Sequence, residues 1–127
     1  MTLSASELWA FLPQGYLLTV LIEIPVLLFG LSSGHPFQRR LIAGFWLTAC
    51  TYPIVILVLP FSIPVQWGGW AYPVTAEFFA AIAECLLFRT AYPRSTSRGT
   101  AWRDMAAIIV ANVASFTIGL WIYGAPV

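Results

Sequence analysis

Four long apolar stretches follow one another along the chain, each closed by a cluster of turn-forming or charged residues. The first runs from Tyr16 to Leu31, or from Leu8 if a helix continues through the region of Pro13. The second runs from Leu41 to Phe61, the third from Trp70 to Phe88 and the fourth from Met105 to Tyr123. About 20 apolar residues cross a bilayer as a helix, and none of these stretches alternates as a half-buried strand would. The pattern predicts an all-α membrane protein, a single domain over residues 1–127 with transmembrane helices at about 14–31, 41–61, 70–89 and 104–123 packed as a compact four-helix bundle. Ser4 followed by Glu7 forms a capping-box pattern. It predicts a short interfacial N-terminal helix carrying Leu8, Trp9 and Phe11 and ending near Pro13.

Composition agrees with the pattern. The chain has 127 residues, 60% of them hydrophobic and 9% charged, with a mean hydropathy of +0.84. A soluble domain of this length carries about 25% charged residues, so the lipid bilayer is the expected surroundings. A net charge of +1 with no basic run excludes a phosphate-tracking surface, and no nucleic acid is expected as a partner. Cys50 and Cys85 have no metal-type or redox spacing and read as small packing residues.

The positive charges set an orientation. Arg39 and Arg40 follow the first stretch, and Arg89, Arg94, Arg98 and Arg103 lie in or beside the third connector. Basic loops stay on the cytoplasmic side. The expectation is an integral protein of the bacterial inner (plasma) membrane type, with both termini outside and loops 32–40 and 89–104 cytoplasmic. The aromatic residues near span ends, among them Trp9, Phe11, Tyr16, Trp67, Trp70, Tyr72, Trp121 and Tyr123, read as headgroup-level anchors. The connector from Pro93 to Thr100 reads as a solvated link near anionic headgroups.

Chemistry is confined to a few polar residues at depth. Glu23, Glu77 and Glu84 lie inside the apolar stretches, with no arginine beside them. An acidic residue at mid-helix costs roughly 3 kcal/mol on insertion, and each Leu, Ile or Phe returns only about 0.3–0.6. The third span, with two glutamates, therefore inserts stably only if they face other helices or a water-filled cavity. Counting inward places Glu23, Glu77, Thr51 and Asn112 near mid-span, with Glu84 about 10 Å nearer the cytoplasm on the Glu77 face. Thr19 shares the Glu23 face, and Ser115 lies close to that of Asn112. Ala76, Ala80, Ala81 and Ala83, and then Ala107, Ala111, Ala114 and Gly119, are small enough for close helix approach. Pro25 and Pro53 free the carbonyls of Leu21 and Ala49 as further acceptors.

Glu23, Glu77, Glu84, Asn112, Thr51, Ser115 and Thr19 thus form a candidate ion- or substrate-binding set. Its carboxyls are expected to be protonated, to hold a bound cation as cofactor, or to pair with a partner's cation. A carboxylate and amide set suits hard ions, and His35 with Glu84 is a candidate metal pair if the loop histidine reaches inward.

Three functions fit. A transport-type protein, proton or cation coupled, would use buried carboxyls as an exchange site. Four spans are few for a pathway, so it would act as a homo-oligomer or with a membrane partner protein. In size, and in a glutamate within the first span, the chain is similar to the small multidrug transporters. A structural or assembly subunit of a larger membrane complex would use the glutamates to pair with that complex's cations. A metal-dependent intramembrane enzyme would use them for acid–base work, but H-E-x-x-H, G-x-S-x-G and C-x-x-C motifs are all missing, so the reading leans away from an enzyme.

Overall fold

The computed structural model describes residues 4–93 and 98–124. Of the basic residues that set the orientation, Arg94 lies outside the described residues, as do the side chain of Arg98 and much of the Pro93–Thr100 connector.

Helix α1 spans Ala5–Gly30. Its start is fixed by Ser4, whose Oγ accepts from the Glu7 amide at 3.4 Å while the Glu7 carboxylate accepts from the Ser4 amide at 2.7 Å. The capping box read from the sequence is therefore present, but the helix does not end at Pro13. It runs on through Pro13 and Pro25 as a single element. No separate interfacial helix forms: the longer of the two readings of span one holds. A proline in a helix loses one hydrogen bond, and twenty-six residues of otherwise continuous helix carry two such losses.

Helix α2 spans Phe37–Leu57, beginning and ending four residues before the Leu41–Phe61 stretch read from the sequence. Pro60 cannot donate to the Ile56 carbonyl, and the chain restarts as a single turn, α3, over Leu59–Ser62. A 3₁₀ turn at Val65–Trp67 ends on Gly68, whose φ of +93° falls in the left-handed region open to glycine. Helix α4 spans Ala71–Ala91 and α5 spans Arg98–Tyr123.

The four long helices form a ring in the order α1, α2, α4, α5, with α1 facing α4 and α2 facing α5 across the diagonals. Neighbours are antiparallel: Arg103 near the start of α5 donates to Gly30 O at the end of α1, and Gln14 near the start of α1 reaches Tyr123 at the end of α5. All four are long and apolar enough to cross a membrane. Their outward faces carry Leu21, Phe29, Phe78 and Trp121 at 67–85% exposure. A bundle whose surface is as apolar as its interior belongs in a bilayer.

Packing divides the bundle into two halves. The half nearer the arginines is solid: Leu27, Leu31, Ala43, Leu47, Phe88, Ala107, Ile108 and Ala111 form one buried cluster. Gly44 and Gly30 set the helix spacing there, because a methyl on Gly44 would meet Ile24 and one on Gly30 would meet the Ala107 methyl. The other half is hollow.

At the solid end, the first connector is tied down by charge. Asp104 accepts from the Ser32 amide at 2.7 Å and pairs with His35 Nε2 at 2.7 Å. Arg40 donates to the carbonyls of Leu28, Ser32 and His35 at 2.6–2.9 Å, and so satisfies one group that the end of α1 leaves open, on Leu28, and two in the connector. Arg39 lies over the Tyr92 ring at 4.5 Å.

Candidate functional site

A cavity of about 430 Å³ occupies the hollow half, lined by all four long helices. It extends from Phe11, Tyr72 and Tyr123 at the helix ends down to Glu23 and Glu84. Its walls are mainly apolar, and no arginine or histidine is among its lining residues. We call this space the vestibule.

The floor is built from two carboxyls on diagonal helices. Glu23 of α1 and Glu84 of α4 are each 2% exposed. Each stands seven residues before the last residue of its helix, Gly30 or Ala91, which brings them to one level. The other diagonal supplies the partners. Thr48 of α2 and Ser115 of α5 hold the two oxygens of Glu23, both at 2.8 Å. Thr51 of α2 and Asn112 of α5 hold the two oxygens of Glu84, at 2.7 and 2.8 Å. Thr48 and Thr51 are three residues apart, as are Asn112 and Ser115, so each pair lies on one helix face.

Hydrogen counting constrains this floor. Thr51 Oγ1 lies within hydrogen-bond distance of Glu84 Oε1 and also of Leu47 O, at 3.1 Å, yet a hydroxyl owns one hydrogen. The Asn112 amide owns two, which serve Glu84 Oε2 and Ile108 O at 3.0 Å. One proton on Glu84, donated to Thr51, would give each of these four contacts a hydrogen. Around Glu23 the shortage is larger: the single hydroxyl hydrogens of Thr48 and Ser115 face Gly44 O and Asn112 O, both at 2.9 Å, as well as the two carboxyl oxygens, and one proton on Glu23 brings three hydrogens to these four contacts.

Depth counting from the sequence set Glu77 beside Asn112 and put Glu84 off the layer. The structure reverses this. Because α1 begins at Ala5, Glu23 lies in its second half, level with Glu84. Glu77 stands two turns away, about 10 Å toward the open end. It lines the vestibule, and its Oε1 is buried without a hydrogen-bond partner among the described residues. Thr19 lines the wall above Glu23. Thr51, Asn112 and Ser115 all reach the carboxyls.

His35 and Glu84 have separate partners, Asp104 for the histidine and Thr51 with Asn112 for the glutamate. Among the described residues no group of three or more His, Cys, Asp or Glu side chains is placed to hold a metal ion. The side chain of Leu21 lies on the exposed face of α1, and no side chain bonds the freed carbonyls of Leu21 and Ala49 among the described residues. Gly119 borders the vestibule with nothing within 4 Å of where a methyl would sit, so it opens space rather than closing a helix contact.

Sequence reasoning missed Thr48, Asp104 and the inward turn of several rings. Thr48 sits one turn from Thr51 on the same face, a spacing that could have revealed it. Asp104 is the sole aspartate and His35 the sole histidine, a pairing without a local motif. Phe11 and Tyr72 line the vestibule and are half-buried, Tyr123 lines its rim while 48% exposed, and Trp9, Trp70 and Trp121 are exposed. On α1, a two-residue step turns Phe11 about 200° away from Trp9. Comparison with protein-family models, curated proteins and solved structures finds no match to this chain.

Proposed function

We propose that this is a transport-type membrane protein, proton or cation coupled, whose clasped carboxyls hold exchangeable protons at the floor of a one-sided vestibule. The observation that carries the reading is the vestibule itself: all four helices line a space that ends on two buried carboxyls, and at Glu84 the hydrogen count closes when the carboxyl carries a proton. Intramembrane carboxyls that face a cavity mark ion and proton pathways. By the positive charges the vestibule opens to the outside, and the solid half closes the cytoplasmic side. The carboxyl layer is complete within one chain. Passage through the solid half would need helix movement or further copies, and a homo-oligomer in the bilayer is part of the proposal.

Proteoliposomes loaded with a pH-sensitive dye test it. With an acidic interior, external Na⁺, K⁺ or benzyltrimethylammonium should drive proton release above the protein-free rate for at least one of the three cations. Glu84→Gln should abolish that release, and Leu86→Ala, on the exposed face, should not. No release above background with any of them, or release indifferent to Glu84→Gln and Glu23→Gln, would overturn the reading.

A further inference from the structure

The first connector holds the sole histidine of the chain, and three of the four long helices bring side chains to it. His35 is 1% exposed and is not among the residues lining the vestibule. From α5, Asp104 meets its Nε2 at 2.7 Å. From α4 and the residue that follows it, the rings of Phe88 and Tyr92 stand edge-on, with centroids 5.0 and 6.0 Å away. From α2, Arg39 Nη1 lies 3.4 Å from Nδ1, while the same guanidinium lies over the Tyr92 ring at 4.5 Å. A turn closed by the His35 amide on Ser32 O, at 3.1 Å, fixes the backbone beneath the ring.

The hydrogens on this ring follow by elimination. A guanidinium has five N–H donors and no acceptor, so Nδ1 accepts from Arg39 and carries no hydrogen. The ring hydrogen is then on Nε2 and is donated to Asp104 Oδ2. Asp104 Oδ1 accepts from the Ser32 amide at 2.7 Å, so both oxygens of that carboxylate accept. His35 is therefore neutral in this arrangement, held between an anion and a cation. A proton added at Nδ1 would strengthen the pairing with Asp104. It would also point an N–H at Arg39, which has no atom to receive it. The remaining charged groups nearby are all cations. Arg40 bonds the carbonyls of Leu28, Ser32 and His35, Arg103 bonds Gly30 O at 3.1 Å, and Arg89 shares a narrow crevice with Asp104. Tyr92, the other titratable group, offers Arg39 its ring face.

We infer that His35 is a proton-accepting switch at the closed end of the bundle: one proton taken up at Nδ1 expels Arg39 from the Tyr92 ring and frees the start of α2 from the end of α4. Arg39, Ala43 and Leu47 are spaced by four and share one face of α2, and Ala43 and Leu47 belong to the buried core. Arg39 thus covers the end of the stripe that packs the solid half, and its departure uncovers that end. Histidine suits the task because its charge changes between about pH 5 and pH 8. The proton comes from water at the arginine-bearing end, and the released guanidinium returns to that water. The switch lies outside the carboxyl floor and stands whether or not the chain carries ions across the bilayer.

NMR spectroscopy of the protein in lipid nanodiscs, with isotope-labelled histidine and arginine, tests this without a second histidine to confuse the signal. At about pH 8 a hydrogen is expected on Nε2 alone, with the Arg39 side-chain signals displaced by the Tyr92 ring. At about pH 5 both ring nitrogens should carry hydrogens, and the Arg39 signals should move to the positions typical of exposed arginines. Tyr92→Leu identifies the displaced signals by removing their displacement at about pH 8. His35→Gln should hold the Arg39 signals in one place at both pH values. A hydrogen on Nδ1 at about pH 8, or a ring still neutral at about pH 5, would overturn the switch. So would Arg39 signals that stay displaced after the ring is protonated, or that shift equally in His35→Gln. The two spectra of the unaltered protein decide the matter even where a variant fails to fold, and the proton-release assay decides the transport reading separately.

Discussion

At the scale of single residues, the chemistry of the floor depends on a count of hydrogens. Thr51 and Asn112 reach both Glu84 and backbone carbonyls, and the set closes when Glu84 is a neutral acid that donates to Thr51. A glutamine has one donor side and one acceptor side, like a carboxylic acid, so Glu84→Gln should change stability by less than about 1 kcal/mol. Glu84→Ala strands Thr51 and Asn112 and should cost about 1–3 kcal/mol. Thermal unfolding in one detergent would separate the two, and a glutamine as damaging as alanine would show that the site requires a negative charge. Much of this was legible in the chain. Glu23, Glu84, Thr51, Asn112 and Ser115 stand out as polar groups in apolar surroundings, and all of them meet. Which carboxyl meets which partner was not legible, because depth depends on where each helix begins, and α1 begins eleven residues before the Tyr16 start of the shorter reading of span one.

At the scale of elements, helix existence followed from apolar length alone, and helix ends followed from local chemistry only in part. The Ser4–Glu7 box fixed one start, but Pro13 did not act as a stop. A proline removes one hydrogen bond, and continuing α1 places Phe11 and Gly15 against the vestibule. Pro60, by contrast, coincides with the break between α2 and α3. The crossing of α1 and α2 rests on Gly44, where an added methyl would run into Ile24. Gly44→Ala should therefore destabilise the bundle by about 1–3 kcal/mol, as overpacking does. The internal carbonyl ladder of α2 would be unaffected, so the helical circular dichroism at low temperature should stay constant while the melting temperature falls. An unchanged melting temperature would mean that the crossing has more slack than the structure shows.

At the scale of the molecule, one end is solid and tied, and the other is open. Arg40, Asp104 and His35 fasten the first connector to the start of α5 on the same side as the packed core. The vestibule opens at the opposite end, and the carboxyl layer separates the two. No local motif announces this division. Leu27, Ala43, Leu47, Phe88, Ala107 and Ala111 fill the space near the arginines, while Ala76, Ala80 and Gly119 are small residues lining the vestibule beyond the glutamates. The account as a whole depends on that layer carrying protons. Infrared spectroscopy of the protein in bilayers at neutral pH addresses it directly. A carboxylic-acid C=O stretch is expected that loses intensity in Glu84→Gln and again in the double variant with Glu23→Gln. A spectrum holding only carboxylate bands, the same in all three proteins, would contradict it.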